Sequence, residues 1–215
     1  MECDRHSLVT RLHVRGDDTT GVVVVDAMCR LVADALGTDR PPVLRTLRSV
    51  RFLAPLLPGD VLTLRLTAAK RDRGWSVRAE GTGPDGTVVA RIHADFTSEP
   101  LELDPGRSIR ALESFGRAAA RLGLMSRVPG PGDGRIYLMA GARNVSFEAT
   151  VRPGDVLRHE IRLHTVVADT AFVSGVTWIG DRRLATVGNL VATLYPIRVC
   201  TLPPRPDPLG GPIEP

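Results

Sequence analysis

The alternation of apolar and polar positions along this chain is written twice. Residues 49–60 read SVRFLAPLLPGD and residues 144–155 read NVSFEATVRPGD, a period-two segment closing on a Pro-Gly-Asp turn at an offset of 95 residues. Phe52 matches Phe147, and Pro58, Gly59 and Asp60 match Pro153, Gly154 and Asp155. Three strand-like runs follow each turn. They are VLTLRLTAAK, WSVRAEGTG and TVVARIHADF in the first copy, and VLRHEIRLHTVV, AFVSGVTWI and LATVGNLVATLYP in the second. Gly- and Asp-bearing turns (RDRG, PDG, GD) separate the runs, so both halves read as largely antiparallel sheet.

A helix precedes each sheet. Residues 21–36, GVVVVDAMCRLVADAL, are apolar except for Asp26, Arg30 and Asp34 at i, i+4 and i+8. That spacing predicts a helix buried all round but for one polar stripe. Residues 107–122, RSIRALESFGRAAARL, repeat the arrangement with Glu113, Arg117 and Arg121. The run Val22 to Val25, taken alone, has strand character because its side chains are β-branched.

One buried helix followed by a long antiparallel sheet, twice over, predicts an α+β fold in which a curled sheet wraps each helix. A single such unit leaves a sheet edge unpaired, and joining two units edge to edge removes that liability. Residues 1–97 and 98–199 are accordingly expected to form two units paired as an intramolecular pseudo-dimer. Residues 200–215, rich in Pro and Gly, are expected to be an unstructured tail.

Composition excludes several classes. With 43% hydrophobic and 24% charged residues the chain is neither disordered nor collagen-like. Its longest apolar run is interrupted by Asp26, short of the roughly 18 residues a membrane-spanning helix needs. The amino end carries acids and no apolar core, unlike a signal peptide, so a cytoplasmic location is expected. Cys3, Cys29 and Cys200 stand at no disulfide or metal-ligand spacing, and no metal is expected. The net charge of +4 comes from 27 arginines and one lysine, Lys70, spread among acids, with only 4% aromatic residues. Nucleic-acid binding would want a basic stripe with stacking aromatics, which is missing. GTGPDG from Gly81 reads as a hairpin turn. His6, His93, His159 and His164 read as strand or terminus residues, with His159 and His164 on opposite strand faces.

The loop, helix and PGD strand together resemble the hot-dog fold, and in particular the 3-hydroxyacyl-acyl carrier protein dehydratase family. That family shows a loop HFPGxPxxPG, a helix VLxxEAMAQ and a later strand FxxPVxPGDxL. Residues 13–28 read HVRGDDTTGVVVVDAM. With one loop residue deleted, His13 falls at the family's histidine, Gly16 at the loop glycine, Gly21 at the helix-start glycine and Asp26 at the helix carboxylate. FLAPLLPGDVL from Phe52 fits the later strand. The second half matches only from its helix onward, where Glu113 takes the carboxylate place with no histidine loop before it. Val14, Asp17, Asp18 and Thr20 depart from the loop pattern. Arg30 and Arg117 replace the glutamine one turn after each carboxylate.

The resemblance implies a double hot-dog and one composite site per chain. His13 of the first unit would face Glu113 of the second, while Asp26 faces a loop without a histidine. It also implies dehydration of a 3-hydroxyacyl thioester carried by acyl carrier protein or coenzyme A, with no cofactor. Imidazole suits the base at the α-carbon, its unperturbed pKa being about 6.5. A carboxylic acid can protonate the departing hydroxyl at neutral pH where apolar surroundings favour its neutral form. Backbone N–H groups at Gly16 and at the helix start after Gly21 would meet the thioester oxygen. Glu113 with Arg117, and Asp26 with Arg30, also have the spacing of ordinary helix ion pairs. An arginine beside the carboxylate suits it to act as a base, or itself binds a substrate carboxylate or enolate. Cyclisation, thioester hydrolysis and non-catalytic acyl or carrier-protein binding are therefore the alternatives, and a homodimer of pseudo-dimers stays open.

Overall fold

The structure is a computed structural model that describes residues 5–14, 21–36, 42–56, 59–97, 105–126, 135–149, 151–152 and 154–196. Among the described residues nine strands form one antiparallel sheet. In chain order they are β1 (Arg5–His13), β2 (Val43–Phe52), β3 (Val61–Arg71), β4 (Gly74–Thr82), β5 (Val88–Thr97), β6 (Arg135–Phe147), β7 (Leu157–Val167), β8 (Thr170–Ile179) and β9 (Arg182–Pro196). Helix α1 (Val22–Ala35) follows β1, and helix α2 (Pro105–Ser126) follows β5. The order across the sheet is β1-β3-β4-β5-β2-β6-β9-β8-β7, so the two halves join where β2 meets β6.

The join obeys the sequence repeat. The 95-residue offset carries Leu47 onto Ala142 and Val50 onto Val145. The ladder pairs Leu47 with Val145 and Val50 with Ala142, as a pseudo-twofold through its middle requires. All four side chains are buried. Both PGD turns place their glycine in the left-handed region, Gly59 at φ 86° and Gly154 at φ 91°. The first is tied to the strand before α1 by Gly59 N–H to the Val14 carbonyl at 2.8 Å and Val14 N–H to the Asp60 carbonyl at 2.9 Å.

Both helices touch one another and pack on the sheet. In α1, Val24, Val25, Met28 and Val32 are fully buried, while Arg30 and Asp34 are exposed. Burial from several sides decides the state of the Val22–Val25 run against its β-branched preference. In α2, Ile109, Leu112, Phe115 and Ala119 are buried at spacings of three and four residues, with Ala111 buried beside them.

The alternation understates two strands. β2 begins at Val43, and bulges between Leu44 and Thr46 and between Leu47 and Ser49 break its period. β1 carries few apolar residues, and its Val9 faces solvent while Leu8 and Leu12 pack against the core. β1 pairs with β3. Its counterpart beside β7 is absent among the described residues, which leaves β7 at the sheet edge. The tail 200–215 and both cysteines Cys3 and Cys200 lie outside the described residues, whereas Cys29 is a buried free thiol held well above its ordinary range by desolvation. No described helix is long and apolar enough to cross a membrane.

Candidate functional site

A cavity of about 90 Å³ opens where the two halves meet. Helix α2 supplies Leu112, Glu113, Gly116 and Arg117 along one wall. The facing wall is apolar, formed by Leu138 and Met139 of β6 with Leu190 of β9. Val22, the first residue of α1, also lines it, so the start of the first helix and the middle of the second meet in one space.

Among the described residues Glu113 and Arg117 are the charged groups on the cavity's lining. They form an i, i+4 ion pair, with the glutamate side chain 23% exposed and the arginine 69% exposed. The carboxylate therefore sits at the cavity wall and the guanidinium toward solvent. Tyr137 contributes a phenol to the same lining. The ion pair leaves the second carboxylate oxygen of Glu113 to face a ligand in the cavity.

Asp26 and Arg30 make the equivalent pair on α1 at 2.6 Å, with the same 23% exposure of the carboxylate. Neither lines the cavity. The structure thus separates the two repeat-related carboxylates, one at the space between the halves and one away from it.

Gly21 caps α1 with φ 74° and no side-chain hydrogen bond at the helix start. A Cβ there would fall 2.6 Å from the Phe52 ring, so both the backbone conformation and the close approach require glycine. Among the described residues no side chain caps the first-turn N–H groups that follow, and they start beside the cavity at Val22. His13 ends β1 opposite Val61 and is exposed; it is not among the residues lining the cavity. Gly16 lies outside the described residues.

One constellation escaped the sequence reading. The ring of His159 lies between α2 and the sheet, its Nε2 2.9 Å from Ser114 Oγ and its Nδ1 3.0 Å from Thr177 Oγ1. Phe115 packs edge-on to it, with centroids 5.8 Å apart. Burial pushes the imidazole pKa down, favouring the neutral ring. The signal was present only as a histidine on the inward face of β7, and its partners lie 45 residues before it and 18 after it. His164, by contrast, is exposed and bonded to Ser174 at 2.7 Å. Among the described residues no group of three His, Cys, Asp or Glu side chains could hold a metal ion.

Two helices side by side against one antiparallel sheet, joined across a pseudo-twofold, make this a double hot-dog fold protein, and solved structures agree. The chain superposes on the acyl-CoA thioesterase II TesB2 of Mycobacterium marinum with a TM-score of 0.65 at 12% identity, over 89% of this chain and 94% of that one. It superposes on the bifunctional dehydratase-cyclase domain of ambruticin biosynthesis with a TM-score of 0.53 at 17% identity, over 93% and 95%. At these identities the likeness is one of fold. In sequence the chain is similar to the 3-hydroxyacyl-acyl-carrier-protein dehydratase FabZ of Legionella pneumophila strain Philadelphia 1, 36% identical over 103 residues. That match takes in 48% of this chain and 65% of the relative, just under two thirds of its length. No protein-family model matches the chain.

Proposed function

We propose that this protein is an acyl-thioester enzyme of the dehydratase kind, acting on a 3-hydroxyacyl group carried on acyl carrier protein or coenzyme A. One observation carries the proposal: a carboxylate, Glu113, lines an apolar cavity formed jointly by the start of α1 and the middle of α2. The similarity to a 3-hydroxyacyl-acyl-carrier-protein dehydratase supports the choice of substrate class.

In the proposed reaction the acyl chain lies against Leu138, Met139 and Leu190, and the thioester carbonyl meets the first-turn N–H groups after Gly21. There the helix dipole favours the negative charge that develops on oxygen. A base removes the α-proton, the Cβ–OH bond breaks as the hydroxyl takes a proton from an acid, and water leaves as the double bond forms. By resemblance the base is His13, and Glu113 handles the proton of the departing hydroxyl. Arg117 orients Glu113 across one helical turn.

A second reading is favoured by the exposure of His13 and the pairing of Glu113 with Arg117. A carboxylate held by a guanidinium is placed to act as base for a water molecule. The water oxygen would attack the thioester carbonyl, Glu113 would take its proton, and the thiol would leave with a proton returned to sulfur. Incubation with 3-hydroxyacyl pantetheine thioesters and mass spectrometry separates the two. Loss of water from the parent, with both His13→Ala and Glu113→Gln slower by about 100-fold or more, is the dehydratase result. Release of free acid that needs Glu113 but not His13 is the hydrolase result. Turnover of no thioester would overturn both.

A further inference from the structure

Glycine is a poor choice at the centre of a helix, because it lowers helix stability relative to alanine. Gly116 nevertheless occupies the middle of α2, outside the positive-φ region. Packing does not demand it. Among the described residues a Cβ at Gly116 would meet only Leu190 Cδ1, at 3.9 Å, an ordinary contact. At Gly175 the same atom would fall 2.0 Å from the Glu160 carbonyl oxygen, so there the missing side chain is obligatory. What the absent Cβ at Gly116 leaves is space in the cavity that the residue lines with Glu113 and Arg117.

The repeat sharpens the point. Aligning Asp26 with Glu113 and Arg30 with Arg117 places Cys29 at the position of Gly116. Cys29 is 1% exposed and packed into the core. The first helix fills the position and the second empties it, which matches the placement of this cavity at α2.

We propose that Gly116 is the size-determining position of this cavity and that the cavity takes a short acyl chain. Its volume of about 90 Å³ is below the roughly 150 Å³ that admits benzene in an engineered core cavity. That space suits about four carbons. This inference rests on the cavity being an acyl site, and the test keeps the two apart.

The test uses the full chain and unreactive S-alkyl pantetheine thioethers of four, eight and twelve carbons, with binding read by calorimetry and folding by thermal melting. The parent should bind the four-carbon probe at least 10-fold tighter than the twelve-carbon one. Gly116→Ala should melt about 2–4 °C higher, as alanine favours the helix. It should bind the four-carbon probe about 10-fold more weakly, the effect of one methyl group in an apolar pocket. Unchanged binding in a Gly116→Ala protein that melts higher overturns the role of Gly116 and leaves the acyl reading standing. Equal binding of all three lengths by the parent overturns the short-chain assignment. A parent that binds none of them overturns the acyl reading and this inference with it.

Discussion

Beneath its helix the first half is apolar and filled, whereas the second half is polar in one place and empty in another. The registers allow a residue-by-residue comparison. Leu64 pairs with Gly81 in the first half, and His159 pairs with Thr177 at the same point of the second. Above them Ala27 of α1 corresponds to Ser114 of α2. Three apolar positions have thus been exchanged for a Ser-His-Thr hydrogen-bond chain, with donors and acceptors matched so that burial costs little. Two residues further along each helix the exchange runs the other way, and buried Cys29 gives way to Gly116 at the cavity wall. The same fold has been copied, and one copy kept for packing while the other opened a space beside a carboxylate.

The largest difference between the halves should appear in turnover. Glu113→Gln keeps the shape of the side chain and removes its charge, and is expected to slow the reaction by about 100-fold to 1000-fold. Asp26→Asn, on the repeat-related carboxylate away from the cavity, should leave the rate within about threefold. Steady-state kinetics on one thioester, with melting curves to confirm folding, decides between them. Equal losses would erase the functional asymmetry.

A smaller difference should appear in stability. Gly175, opposite Ile161, is the counterpart of Ala79, opposite Leu66. Gly175→Ala drives a Cβ into backbone and against the Phe115 ring 2.9 Å away, and is expected to cost about 3 kcal/mol in urea unfolding. The reverse change, Ala79→Gly, should cost only about 1 kcal/mol. Similar costs would mean that the second half relaxes around the new atom.

The smallest effect concerns pH. Burial lowers the pKa of His159 in the folded chain, and that of His93 in the first half is lowered by burial and by Arg48 and Arg78. As pH falls below about 6.5 the unfolded chain takes up these protons before the folded one does, so stability falls with acidification. His159→Gln should shrink the drop in melting temperature between pH 7 and pH 5.5, and the part due to His93 should remain. An unchanged drop would show that His159 carries none of it.

Much of the fold was legible because its signals are local. The doubled PGD turn, the period-two runs after it and the polar stripe of α1 each lie within a few residues of sequence. They led to two helix-and-sheet halves joined edge to edge, and the β2 to β6 ladder is that join. The bulges in β2 hid its first half, since each bulge moves the following side chains to the other face. The site was legible in part. Glu113 and Arg117 stood out by spacing from Asp26 and Arg30, but spacing alone could not say which pair faces a cavity. That depends on Met139 and Leu190, which come from strands far along the chain. His159 reads as a strand residue whose partners Ser114 and Thr177 are distant in sequence, and Gly116 takes its meaning from the space beside it.

The most direct test is a crystal structure of the chain with a four-carbon S-alkyl pantetheine thioether. The alkyl chain should lie between α2 and the β6–β9 wall, with the sulfur end near Val22 and Glu113. Density for the chain beside Asp26, on the outer face of the sheet, or nowhere at concentrations that saturate binding would contradict the assignment of this cavity as the acyl site.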